Sequence, residues 1–467
     1  MSKGIYIFRR DLRLVDNMGL YLLSKEVSSI IPIFIFDPFQ IDKTPENEHY
    51  RSIPAIQIMI ESLDDLNSEL NLLHSKLFYF YGQPNKIINK LIKLIKPTHI
   101  SYNADFSKYS LIRDDLIDKE CKKYNVNLIK YMDDNCLNTM ELFLNKNNIY
   151  KIYGAFYKHA IKIKVRDEVS KPKNFIDKNH SIEGTFKKNI HTFYKKHELL
   201  VEGGRTNALK ILHNLSKFKN YEHERDSLPY NTTFLSTYLK FGCVSIVETY
   251  NSMKKLKLTP LIRQLYWRQF FFILSRFNYN DYNFSDEFFP HVKWRNNISE
   301  AKALWSGNTG YPIIDCGVRQ LLSTGYMHNR LRLYVSNFAI KILHHNPFEK
   351  QWGGQVQFSK LLIDCCYANN YGNWNNTLGP YDIPGYRYGK KNTKSGRVYD
   401  PTSSKKIKEY DLHLEFIRKY IPELSEIPDK DVFNWYTSYK KYPDCKYSNP
   451  IVNIEERKEE WYQLTKK

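Results

Sequence analysis

Residues 309–333 read TGYPIIDCGVRQLLSTGYMHNRLRL. Apolar positions recur at helical spacing over Ile313–Ser323 and again over Gly325–His344, so the stretch predicts two consecutive amphipathic helices. His328, Asn329, Arg330 and Arg332 fall within five residues of one another in the second. They spread around the helix, so some of them face inward and need polar partners. Working outward, the same period returns over Arg205–Leu215, Leu235–Tyr250, Leu261–Phe277 and Phe358–Cys366. From about residue 203 onward the chain therefore reads as helical. Two stretches inside it are odder than a core requires. In LYWRQFFF (Leu265–Phe272), Trp267 alone suits a core, but Arg268 and Gln269 in the same apolar run call for an anionic or hydrogen-bonding partner. DCCYANNYGNW (Asp364–Trp374) is rich in amides and small residues, with one carboxylate to answer Arg332. Together these stretches predict a polar pocket in a helical domain, of the kind that holds a large cofactor.

The first 130 residues have a different rhythm. Short β-rich runs at Ile5–Phe8, Ile30–Phe36, Lys76–Tyr81, His99–Tyr102 and Asn127–Tyr131 alternate with helical patterns at Asn17–Lys25, Ser52–Leu73, Asn85–Ile95 and Tyr109–Lys123. Asp16 is a candidate cap for the first helix, and Pro54 suits the first turn of the second. Apolar strands alternating with helices predict a doubly wound parallel sheet covered on both faces. No glycine-rich phosphate motif follows any strand, which disfavours dinucleotide binding at the first turn and NTP hydrolysis. The fold class is thus α/β plus all-α. It comprises an α/β domain over 1–131, a polar connector over 132–202 whose least structured part is KPKNFIDKNHSIEGTFKKN, and a helical domain over 203–467. No internal repeat is visible.

The chain has 467 residues, 42% of them apolar and 15% aromatic, which excludes wholesale disorder. Lys and Arg number 70 against 50 acidic residues, a net charge of +20 that favours a polyanionic partner. The abundance of Lys, Asn, Ile and Tyr is also what an AT-rich genome produces without selection for charge. No run approaches the roughly 20 apolar residues of a membrane span, and the charged start MSKGIYIFRR is no secretory leader, so a soluble, intracellular protein is expected. Seven cysteines without C-x-x-C spacing predict neither a disulfide framework nor a metal site.

The stretches FRRDLRLVDN (Phe8–Asn17), YNADFSKYSLIRD (Tyr102–Asp114), LSTYLKFGCVS (Leu235–Ser245), LYWRQFF, the 309–333 block and NYGNW (Asn370–Trp374) resemble the photolyase/cryptochrome family of flavoproteins. The matches keep the family's order from residue 4 to about Leu424. The resemblance implies an N-terminal antenna domain and a C-terminal helical domain holding FAD in a bent conformation. It implies cofactor contacts from Tyr221, from TTFLS (Thr232, Thr233, Phe234, Leu235, Ser236) at the phosphates, and from Arg268, Arg332, Asp364, Cys365 and Cys366. Asn370 matches the asparagine facing flavin N5. Phe234 stands where relatives have arginine, and Cys366 where many have a second aspartate. Trp374, Trp352 and Trp294 match an electron-hopping chain, the register at Trp352 being one residue short.

On the same resemblance, a pyrimidine dimer is extruded from the duplex into a cavity above the flavin. Trp267 matches one aromatic wall of that cavity and Asn329 the asparagine that hydrogen-bonds the lesion. Gln264 replaces an expected glutamate, Leu333 a methionine, and Asn376 the second aromatic wall. Loss of one stacking face costs about 1–3 kcal/mol of base binding. Arg225, Arg330 and Lys419 match DNA-facing positions, and YRYGKKNTKSGRVYDPTSSKKIK (Tyr386–Lys408) carries six Lys and two Arg against one Asp beside them. The family implication is a light-driven cyclobutane-dimer photolyase acting on UV-damaged DNA, with (6-4) photoproduct repair or a cryptochrome-like photoreceptor as alternatives. FAD is the expected cofactor, absorbing light directly or through an antenna chromophore (folate, deazaflavin or a second flavin) whose presence and identity the sequence does not give, and the protein is expected to be monomeric, without metal or membrane.

Overall fold

Ile5 and Ile7 of one strand, Ile31 and Ile33 of the next, and Phe78, Phe80 and Ile100 from their neighbours form a single buried cluster. Full burial of each such side chain is worth about 1.5–3 kcal/mol, and that sum drives the sheet together. The computed structural model describes residues 2–44, 51–132, 134–143, 150, 152–230, 232–277, 293–378 and 398–464. Among them are five strands, β1 (Lys3–Phe8), β2 (Ser29–Phe36), β3 (Phe78–Tyr81), β4 (His99–Asn103) and β5 (Asn127–Tyr131). They pair in the order β3-β2-β1-β4-β5, every pair parallel, with Ile5 opposite both Ile31 and Ile100. Helices α1 (Met18–Glu26), α2 (Ile53–Leu72), α3 (Pro84–Ile95) and α4 (Lys108–Lys123) provide the crossovers. The doubly wound sheet expected from the sequence is what forms.

One capping assignment changes. Asn17, not Asp16, caps α1, its side-chain oxygen accepting from Leu20 N at 3.2 Å. Asp16 sits one residue too early and in the left-handed region, φ 51°. Its carboxylate instead binds Arg166 and accepts from Val169 N at 3.0 Å. Pro54 does occupy the first turn of α2, behind a Ser52 cap.

β1 and β4 are neighbours at the topological switch of the sheet, and the loop after β1 is locked there. Tyr6 donates to the Asp11 carboxylate, and Asn103 Nδ2 donates to Asp11 at 2.8 Å and to Asn17 at 2.9 Å. Arg13 forms a buried pair with Asp134 at 2.6 Å. Gly242, φ 64°, lies so close to the Arg10 carbonyl that no Cβ fits. Two of the quoted blocks, Phe8–Asn17 and Leu235–Ser245, therefore meet backbone to backbone.

The connector lacks regular structure where the sequence is most polar, yet it is pinned. Ile30 N donates to Asn174 O at 2.8 Å and Ile176 N returns a bond to Ile30 O at 2.9 Å, alongside β2. Phe186 N donates to Tyr79 O at 2.7 Å on β3. Phe186 and Phe193 stack at 5.6 Å, and each stacks on Tyr81. Earlier in the connector, helix α5 (Tyr153–Ala160) forms on buried Tyr153, Phe156 and Ala160.

The chain packs as two units. The first comprises Met1–Lys196, Val201–Lys219 and Thr233–Tyr279, adding to the sheet the helices α6 (Arg205–His213), α7 (Leu235–Phe241), α8 (Ile246–Lys255) and α9 (Thr259–Phe277). The second comprises His197–Leu200, Asn220–Thr232 and Asn280–Lys467. Its helices include α10 (Ile298–Trp305), α11 (Pro312–Thr324), α12 (Asn329–Lys341), α13 (Gly354–Leu361), α14 (Tyr367–Leu378) and α15 (Ile454–Leu464). Buried Asp315 on α11 accepts from Thr309 N and Oγ1, from Gly310 N and from the Tyr447 hydroxyl, which is why TGYPIID holds its turn. Gly325, φ 68°, ends α11, so the second helix of the 309–333 block starts at Asn329 rather than at Gly325. Among the described residues no helix is long and apolar enough to cross a membrane, and no cluster of His, Cys, Asp and Glu could hold a metal ion.

Candidate functional site

In the second unit, α12 opens on a histidine cap. His328 Nδ1 accepts from Arg330 N at 3.2 Å, which leaves the ring proton on Nε2. That nitrogen is buried and has no partner among the described residues. Burial lowers the His328 pKa to about 4, so the ring stays neutral and able to accept. Sequence reasoning missed this role, because MHNR shows a histidine but not which nitrogen meets which amide.

The next turn places Asn329 at the solvent edge and Arg332 inward. Arg332 Nη2 donates to Asp364 at 2.9 Å and Nε to Met327 O at 2.8 Å, with the guanidinium 5.0 Å from the Tyr326 ring. Burial works against its charge, but Asp364 and Tyr326 outweigh that and raise its pKa. The Arg332–Asp364 pair expected from the sequence is thus formed. The Thr232 hydroxyl reaches Tyr326, and burial pushes the Tyr221 phenol up to about 12. Arg330 pairs with Asp226 and lies over Tyr410 at 5.3 Å, while Arg225 is 3.6 Å from Glu222.

Asn370, buried on α14, is oriented without ambiguity. Its Nδ2 donates to Gln355 O at 3.0 Å and to Ser359 Oγ at 3.2 Å. A backbone carbonyl can only accept, so Nδ2 is the nitrogen and Oδ1 is the atom left to present. Buried Cys366, four residues earlier, accepts from Asn370 N at 2.8 Å through its carbonyl, and Cys365, half-buried, donates to Ser359 Oγ at 3.8 Å. α12 and α14 meet at Ser336 and Thr377, whose hydroxyls are 3.2 Å apart. On these helices Leu333 is half-buried and Asn376 exposed. Lys419 is exposed farther along the chain.

The tryptophans fall into two sets. Trp374 is 1% exposed, packs edge-on to Phe358 at 5.1 Å, and covers Gly354 so closely that a Cβ there would penetrate the indole. Phe358 is in turn 6.0 Å from Trp305, whose Nε1 donates to Trp352 O at 2.9 Å. Trp374 and Trp352 are thereby members of one cluster, joined through Phe358 and Trp305, neither of which the sequence singled out. Trp294 is half-buried in the segment before α10.

The first unit carries the remaining candidates. Phe234 stands at φ 52°, an expensive conformation for a side chain without a hydrogen bond to offer, directly before Leu235 starts α7. Thr233 Oγ1 accepts from Leu235 N at 3.4 Å, Leu235 is buried and Ser236 exposed. Arg268 donates to Asn135 O, to Asn135 Oδ1 at 2.8 Å and to Leu239 O at 3.3 Å. Gln269, fully buried, accepts from Leu137 N at 2.9 Å. The polar pair inside the aromatic helix therefore finds partners in the connector loop at 135–138, and Arg268 also at Leu239 O on α7. Trp267 is half-buried, with Tyr153 of α5 stacked on one face at 3.5 Å and 6°. Tyr153 was not singled out, although Tyr153, Phe156 and Tyr157 at helical spacing in YKIYGAFYKH were the available signal. Gln264 Nε2 reaches back to Pro260 O at 3.4 Å. Residues 386–397 of the basic stretch lie outside the described residues.

A flavin nucleotide fits the donor set of the second unit. Asn370 Oδ1 is an acceptor for a ring N–H, the Arg332–Asp364 pair supplies both a donor fork and a carboxylate, and Tyr221 and Thr232 add hydroxyls.

Comparison with known proteins agrees with this chemistry. Residues 4–173 match the family model described as DNA photolyase, and residues 261–467 the model described as the FAD binding domain of DNA photolyase. The chain is 28% identical to a deoxyribodipyrimidine photo-lyase of Buchnera aphidicola, over 100% of this chain and 97% of that protein. It is 25% identical to cryptochrome-2 of Arabidopsis thaliana, over 98% of this chain and 78% of that one. Among solved structures, an archaeal photolyase from Sulfolobus tokodaii with two FAD molecules superposes with a TM-score of 0.85 at 32% identity, covering 99% of both chains.

Proposed function

The chain belongs to the DNA photolyase/cryptochrome family and carries that family's FAD-binding domain, and from that premise we propose that it repairs UV-damaged DNA by light-driven splitting of cyclobutane pyrimidine dimers. The observation that carries the reading is Asn370. With both Nδ2 hydrogens engaged by Gln355 and Ser359, its Oδ1 can only accept, which suits the N5–H of a reduced flavin.

FAD, when bound, supplies the light-excited one-electron donor; the protein supplies position, dryness and tuning. Tyr221, Thr232, Arg332, Asp364, Cys365, Cys366 and Asn370 of the second unit would hold it, and Thr233, Phe234, Leu235, Ser236 and Arg268 remain part of the proposal by resemblance. Trp267, backed on one face by Tyr153, offers its other face to an extruded base, and exposed Asn329 would hydrogen-bond the lesion carbonyls. Gln264, Leu333 and Asn376 remain part of the lesion-binding proposal by resemblance. Arg225, Arg330 and Lys419 would meet phosphates, Arg330 being already paired with Asp226. Trp374, Trp352 and Trp294 would resupply electrons. Ring splitting requires no acid–base residue from the protein. We include in the proposal the division into an antenna domain over 1–131, a connector over 132–202 and a catalytic domain over 203–467, with a second chromophore in the first. The two FAD molecules of the archaeal relative favour a flavin there.

The deciding experiment illuminates the reduced holoprotein with DNA carrying each lesion separately and assays restored pyrimidines. Restoration of cyclobutane dimers is expected. Restoration of neither lesion, with FAD bound, removes the enzyme reading and leaves a photoreceptor. Gln264 in place of glutamate favours (6-4) repair as the second reading, and restoration of that lesion alone would select it.

A further inference from the structure

We infer that Trp305 is a station of the electron relay, lying between Trp374 and Trp352. The inference rests on the relay reading above. It starts from three contacts in series within the second unit. Trp374 meets Phe358 at 5.1 Å and 63°, Phe358 meets Trp305 at 6.0 Å and 77°, and Trp305 Nε1 donates to the backbone carbonyl of Trp352 at 2.9 Å. All three rings of this series are buried, between 1% and 6% exposed. The ring of Trp352 meets no other aromatic ring among the described residues, and its one described partner is Lys302 Nζ at 5.9 Å. No described contact joins Trp374 to Trp352 directly, whereas Trp305 reaches Trp374 through the Phe358 ring and Trp352 through its Nε1–carbonyl hydrogen bond.

The hydrogen bonds set the direction. Trp374 Nε1 is buried without a partner among the described residues. Trp305 Nε1 has a carbonyl. Oxidation turns an indole N–H into a cationic donor, and a charge-assisted hydrogen bond is about twice as strong as a neutral one. A positive hole is therefore better stabilised on Trp305 than on Trp374. Lys302 attracts the neutral Trp352 ring but repels an oxidised one, so the hole also favours Trp305 over Trp352, with Lys302 exposed and partly screened. Phe358 is too hard to oxidise to hold the charge and serves as a bridge. The electron count is simple. Trp374 would give one electron to the light-excited flavin, Trp305 one to oxidised Trp374, and an external thiol would return one to Trp305 through Trp352 and Trp294, the remaining members of the proposed relay.

The test uses the full chain loaded with oxidised FAD and a thiol donor. Long-lived tryptophan radical is followed by transient absorption after a blue flash in Trp305→Phe, Trp352→Phe and Trp374→Phe. Loss of the radical in both Trp305→Phe and Trp374→Phe supports the assignment. A wild-type radical in Trp305→Phe, with loss in Trp374→Phe, overturns it. A wild-type radical in Trp374→Phe as well would instead overturn the relay reading. Should Trp305→Phe fail to bind FAD, nuclear polarisation under illumination of the unmutated chain with 13C-labelled indoles decides. Polarised Trp305 resonances support the station, and polarisation confined to other tryptophans overturns it.

Discussion

Gly354 shows how much a single hydrogen can control. The outer edge of the Trp374 indole lies against it, and a Cβ at that position would come within 2.0–2.6 Å of three ring carbons. Gly354→Ala should displace Trp374 and cost about 1–3 kcal/mol by overpacking, read as a lower melting temperature together with slower photoreduction of bound FAD. His328 makes a pH prediction. Its pKa falls from 6.5 to about 4 on folding because burial disfavours the cation. Between those values the unfolded chain binds more protons than the native one, so stability is full above about pH 6.5 and is lost as pH falls towards 4. Burial of the neutral ring amounts to about 3 kcal/mol over that window. His328→Asn, a cap that does not titrate, should flatten the melting temperature between pH 6.5 and 4. An unchanged slope would assign the acid sensitivity to buried His344 and His345, whose pKa values burial also lowers. At this scale the sequence displayed residue types but not atom pairings. Arg332 and Asp364 were legible as complementary charges, whereas the capping nitrogen of His328 and the bare face of Gly354 depend on distances that no spacing encodes.

At the level of elements, α9 and α5 act as one. Trp267 was identified on α9, and its orientation comes from Tyr153 on α5. Tyr153→Ala should cost about 3–5 kcal/mol in urea unfolding and loosen Trp267, weakening the binding of damaged DNA. Tyr153→Phe gives up only the bond from its hydroxyl to Arg263 O and should cost about 1 kcal/mol. The strands and most helices were readable because burial on one face imposes a period. α5 carries that period over only two turns, in Tyr153, Phe156 and Ala160, too short a run to stand out. The connector after it is ordered by hydrogen bonds to β2 and β3, partners more than a hundred residues away in sequence, and local reading has no access to them.

Over the whole chain the net charge of +20 predicts salt-sensitive association with DNA. Affinity for UV-irradiated duplex should fall log-linearly with salt, and Lys419→Ala should reduce the slope by about 0.9 if that exposed lysine touches a phosphate. Binding isotherms at several salt concentrations decide it. The order of fold classes along the chain was legible from the change of period near residue 203. Membership of the two units was not, because compactness is a property of contacts and α6 to α9 have the same helical period as the helices of the second unit. The stitching of residues 174–193 along β2 and β3 has a further consequence. An exposed parallel edge invites a stray strand, and here the β3 side is occupied by the chain's own backbone and by Phe186 and Phe193. A stretch whose composition advertises easy cleavage should accordingly survive trypsin longer than its many lysines suggest, and the same docking guards the sheet against aggregation through that edge.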